Sequence, residues 1–183
     1  MICSIDWTAA AAWVQAVGSV GAIIAATIIA RSQARSARQL VEDERLRQVG
    51  IASQLLASRF FDAEIECGEL IQNFSGLLAS MGQSKTYTFG AGERVYGQFH
   101  LTSVEPLLAQ QASLMLFPKD SAVVAGRAMD ALSRYNRITL RFVRNTETVK
   151  WDAAETAKFF NRMLDELRKA RSLASEAYLI LAD

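Results

Sequence analysis

The chain has a single histidine, His100, and Arg94 stands six residues before it. These two side chains are the smallest set in the sequence able to do acid–base chemistry on a phosphodiester. An arginine stays cationic and holds phosphate, while an imidazole titrating near neutrality takes and returns a proton. A second set is cationic only. Arg127, Arg134, Arg137, Arg141 and Arg144 recur so that, at about 100° per residue, all five fall in a sector of about 100° beside the apolar face of one helix. Such a stripe suits the phosphates of RNA, lipid headgroups or a partner subunit. The plainer reading pairs these arginines with Glu155, Asp165 and Glu166 further along the chain; a net charge of +1 and few interleaved aromatic residues favour it.

Other chemistry is poorly supplied. One histidine and two distant cysteines, Cys3 and Cys67, cannot assemble a metal centre, and the carboxylates fall mainly on solvated faces. Gly90, Gly92 and Gly97 lack dinucleotide-binding spacing and follow no strong strand, so they read as turn residues. No signature accompanies a serine or cysteine nucleophile. The residue set favours a non-enzymatic protein and implies no cofactor.

The elements that must position these groups begin with Trp7 to Ala30, which contains no charged residue and stops at Arg31. As a helix it is roughly 36 Å long, enough to cross a hydrocarbon core about 30 Å thick. A secretory leader carries its positive charge before the apolar run, whereas here Asp6 precedes it and Arg31, Arg35 and Arg38 follow. A buried core helix is the other reading, since alanine dominates and Gln15, Ser19 and Thr27 are polar; yet a core helix usually keeps a solvated stripe. The expectation is a single membrane span with the N-terminus outside and everything after Arg31 in the cytoplasm. Trp7 and Trp13 sit toward the outer end, where an aromatic belt sets depth. Ala11, Gln15, Gly18, Ala22, Ala25 and Ile29 place small residues and one amide on a single face, which implies association with copies of the same helix.

Residues 33–48 are dense in charge and read as a helical neck. Beyond it, Val49, Ala52, Leu56, Phe60, Ala63, Cys67, Leu70, Phe74, Leu77 and Met81 alternate spacings of three and four, the mark of one long amphipathic helix with Cys67 as an inert buried thiol. No breaker separates the span from this helix. Gly82 to Thr102 interrupts the helical pattern; Thr86–Phe89 and Arg94–Phe99 suit a small β-hairpin. Ser103 reads as the N-cap of a helix reaching Phe117, and Asp120 or Ser121 as the cap of another reaching about Asn145. A last helix follows Trp151 and Asp152.

The predicted fold is all-α: an N-terminal transmembrane helix (1–30), a charged helical neck (31–48) and a cytoplasmic domain (49–183) of about four helices with room for the hairpin. The spacing of Arg94 and His100 is similar to the sparse arginine-to-histidine motif of the HEPN ribonuclease superfamily. In architecture and length the chain also resembles small bacterial single-span proteins with a helical cytoplasmic domain, some associated with phage defence. Among them it resembles the HEPN-like membrane accessory protein of type VI CRISPR systems, which implies a homo-oligomeric, pore-like membrane assembly. The expected function is an inner-membrane protein whose domain self-assembles or docks a protein partner, with membrane lipid as its surroundings. The alternative is a membrane-tethered enzyme cleaving RNA with Arg94 and His100.

Overall fold

A computed structural model describes residues 7–81, 99–146 and 153–182. The chain separates into two compact units, Met1–Arg47 and Gln48–Asp183, with the division falling within the first helix, α1 (Trp7–Met81). No strand occurs among the described residues. The predicted hairpin strands, apart from Phe99, lie outside them, as do Arg94 and Trp151.

In the first unit every side chain described is exposed. Trp13, Val14, Val17, Val20, Ile23 and Ile24 are each at least 55 % exposed although all are apolar. Two hydroxyls among them are satisfied locally: the Ser19 hydroxyl donates to the Ala16 carbonyl (2.9 Å) and the Thr27 hydroxyl to the Ile23 carbonyl (2.7 Å). That back-bonding hides a hydroxyl against its own helix and suits apolar surroundings. Gln15 has no such device among the described residues, and a Cβ placed on Gly18 or Gly21 would meet nothing. By length and composition α1 can cross a membrane, and the stretch that qualifies it has no buried residue.

The second unit is built on the apolar stripe of α1. Ala52, Leu56, Phe60, Ala63, Cys67, Leu70 and Phe74 are buried, as their spacing demands, while Val49 and Leu77 are half-buried. Against this stripe runs the last helix, α4 (Ala153–Ala182). Phe61 meets Tyr178 (5.4 Å between ring centroids), Glu64 meets Arg171 (3.6 Å) and Phe74 meets Phe160 (5.4 Å), so the two segments are antiparallel. The Ser53 hydroxyl donates to the Leu181 carbonyl at one end. The third side is α3 (Lys119–Thr146), which buries Ala128, Leu132, Tyr135 and Phe142; Val124 and Ile138 are half-buried. Near the end of α3, Phe142 stacks on Phe159 (4.3 Å) and touches Phe160 (5.5 Å). Cys67 lies in this core, and burial pushes its thiol up to about 12, which fits an inert thiol.

The segment between α1 and α3 departs from the expected single helix, Ser103 to Phe117. It forms a five-residue helix, α2 (Val104–Leu108), then a 3₁₀ helix (Gln111–Leu116). The change is one of hydrogen-bond span: Gln110 N–H bonds Leu107 O and Ser113 N–H bonds Gln110 O, three residues apart, which winds the backbone tighter. Phe117 is extended (ψ 160°), as a residue preceding proline tends to be, and the Pro118 carbonyl accepts from Ala122 N–H in the first turn of α3.

Candidate functional site

Residues 99–103 form a strap across α1 and α3, and its backbone groups are bound by side chains. The Asn136 amide on α3 pairs with Leu101 in both directions: Leu101 N–H donates to Oδ1, and Nδ2 donates to Leu101 O, each at 2.9 Å. One turn edge away, the Tyr135 hydroxyl donates to Phe99 O (2.9 Å). Burial raises the Tyr135 phenol above its usual range, so it remains a donor. From α1, the Glu66 carboxylate accepts from Thr102 N–H (2.7 Å), Thr102 Oγ1 (2.8 Å) and Ser103 N–H (3.0 Å).

Glu66 thus holds the backbone just ahead of α2, and the cap expected of Ser103 is not made. Ser103 occupies the N-cap position of α2 but is helical (φ −66°, ψ −17°) and its hydroxyl makes no capping bond. A capping side chain needs extended backbone at that position to reach forward to the next amides. Burial acts to raise the Glu66 carboxyl, and the hydrogen bonds from Ser103 and Thr102 outweigh it, so the folded value lies below the ordinary one. A carboxyl depressed on folding adds stability at pH above its unfolded value, and that contribution is lost as pH falls through the folded value. Glu66→Gln is expected to cost about 1 kcal/mol at neutral pH and to flatten the acid limb of a stability-versus-pH curve; equal acid limbs for both proteins would remove Glu66 from this role.

His100 is half-buried within the strap, between the buried Phe99 and Leu101. Its proposed partner Arg94 lies outside the described residues, so the geometry of that pair is not part of the described fold. No group of three or more His, Cys, Asp or Glu side chains capable of holding a metal occurs among the described residues.

The arginine stripe resolves into a smaller group. Arg134, Arg137 and Arg141 line one shallow hollow of about 320 Å³ together with Ile138. Arg127, two turns before Arg134, is exposed and outside it, and the Arg144 side chain is outside those described. The ion pairs recorded for this group run within α3. Asp130 of the same helix contacts Arg134 (2.6 Å) and Arg137 (3.8 Å), while Asp165 faces Arg168 on α4 (3.7 Å). Residues four apart on one helix meet whatever the packing, so this partner was available before any tertiary contact formed. Glu166 attracts Arg134 from α4 at longer range. Arg127 and Arg141 have no ion-pair partner among the described residues. Asp130, Asn136 and Glu66 are the residues that periodicity missed, because a polar residue facing a neighbouring segment looks the same in sequence as one facing water.

Of the membrane-face residues, Trp13, Gln15, Gly18, Ala22 and Arg31 are all exposed on α1, and the Trp7 side chain is outside those described. Fold and site together define a class: an all-helical protein with one N-terminal helix long and apolar enough to cross a membrane. No family model, curated protein or solved structure matches the chain.

Proposed function

We propose that this is a single-span inner-membrane protein, N-terminus outside, whose cytoplasmic helical domain serves self-assembly or partner docking rather than catalysis. The observation that carries the reading is that the large apolar side chains from Trp13 to Ile29 are all exposed on a stretch without charge. Each such side chain left in water forgoes about 1.5–3 kcal/mol, and hydrocarbon is the medium that recovers it along the whole circumference. Arg31, Arg35 and Arg38 at the end of the stretch supply the orientation. Gln15, without an intrachain partner among the described residues, supports association: an amide in lipid is best satisfied by another helix. A pore-like oligomer with Gln15 faces turned inward is the specific form of this assembly.

Cell fractionation tests it. The full chain is expected in the membrane pellet after alkaline carbonate washing, with a solubilised mass exceeding one copy. Val20→Arg, near the middle of the span, adds about 2.5–3.5 kcal/mol to insertion and is expected to deplete the washed pellet. A wild-type chain that stays in the soluble fraction, or a strictly monomeric one in detergent, would overturn the corresponding half of the proposal.

A further inference from the structure

Among the described residues, the guanidiniums of the hollow on α3 outnumber the carboxylates in contact with them. Three guanidiniums, from Arg134, Arg137 and Arg141, line it, and among the described residues the one carboxylate in contact with them is Asp130, shared between Arg134 and Arg137. Glu166 acts on Arg134 only from a distance. All three arginines are exposed and present forked donors that match the oxygens of a phosphate. Seven residues of helix separate the first from the last, so the heads are spread along roughly 10 Å, more than one phosphate needs.

The lining also says what the ligand is not. Besides the arginines its described lining is Ile138, with no aromatic ring among the described residues on which a base could stack. We infer that Arg134, Arg137 and Arg141 form a binding site for a compact anion bearing several phosphates, in which Asp130 is an internal competitor that a bound anion displaces from Arg134. The shared chemistry is clustered phosphate, whether on a free polyphosphate or on a phosphorylated lipid headgroup.

Because Asp130 competes, the site predicts a gain as well as losses. The experiment is calorimetric titration of the detergent-solubilised full chain with inorganic tripolyphosphate. Arg137→Gln is expected to weaken binding about tenfold, the equivalent of one lost charged hydrogen bond, and Arg137→Lys, which keeps the charge, to weaken it less. Asp130→Asn is expected to tighten it severalfold. Arg168→Gln, on α4 beside Asp165, is expected to change nothing. Far-ultraviolet circular dichroism establishes that each variant is folded.

Parallel titration, in the same detergent, with short-chain phosphatidylinositol bisphosphate against short-chain phosphatidylcholine separates the two phosphate sources: tighter binding of the bisphosphorylated lipid than of tripolyphosphate assigns the lipid, and binding to tripolyphosphate alone assigns the free anion. Absence of binding to both probes, equal weakening by Arg168→Gln, or no gain from Asp130→Asn overturns the site. Tighter binding of single-stranded RNA than of tripolyphosphate, with the same sensitivity to Arg137→Gln, overturns the compact ligand in favour of a nucleic-acid strand.

Discussion

Asn136→Leu is expected to destabilise the second unit by about 2–5 kcal/mol, among the largest effects available to a single polar substitution in this chain. Asn136 is buried at 9 % exposure, and its amide is the partner of both the N–H and the C=O of Leu101, itself fully buried. Leucine keeps the branching at Cγ but has no polar atom, so the main cost arises from stranding two backbone groups away from water, at about 1–3 kcal/mol each. Asn136→Asp separates the two bonds. It retains an acceptor for Leu101 N–H but turns a second acceptor toward Leu101 O, and at neutral pH it should be no better tolerated than leucine. Denaturant unfolding of the full chain in detergent gives the free energies. Hydrogen exchange at the Leu101 amide gives the local effect, which should be faster in the leucine variant. An unchanged exchange rate and midpoint would show that the strap is held by packing of Phe99 and Leu101 alone.

Phe74→Ala is expected to cost about 3–5 kcal/mol, the range for truncating a buried aromatic residue. Phe74 is fully buried and joins three parts of the unit: it lies on α1, stacks on Phe99 of the strap (4.7 Å) and packs against Phe160 of α4 (5.4 Å). Phe99 and Phe160 also touch (5.8 Å), so the three rings form a closed set. Ring pairs of this kind add about 0.5–1.5 kcal/mol beyond the area they bury. The double variant Phe74→Ala, Phe160→Ala should therefore cost less than the two single costs together, because the second truncation removes a contact already lost. Strict additivity in denaturant unfolding would count against the ring cluster as a cooperative unit.

The helices were legible because burial imposes a period. Leu56, Phe60, Ala63, Cys67, Leu70 and Phe74 alternate at four and three residues, and a helix with that spacing can hide those side chains only along one face. The same period recurs where Leu132, Tyr135 and Phe142 are buried on α3 and Met163, Leu167 and Ala174 on α4. The uncharged length of Trp7 to Ala30 was legible by composition, and its exposure in the fold agrees with it. Ser103 was a reasonable cap by residue type, but a cap depends on backbone angles, and those follow from how Glu66 and Asn136 draw residues 101–103 across the helices.

Residue type and spacing thus carried the all-helical class, the inward faces and the apolar first helix, since all three depend on patterns local to one segment. The partners of polar groups did not follow from spacing. Glu66 meets Thr102 across 36 residues and Asn136 meets Leu101 across 35, and nothing local to either position marks the other. The arginine stripe lies between these cases. Its sector on α3 was set by helical period, whereas its reduction to Arg134, Arg137 and Arg141 around one hollow depended on how side chains settled on the folded surface. A helix repeats, so its faces can be read along one strand of sequence; a contact between helices is a single event, and only the folded chain specifies it.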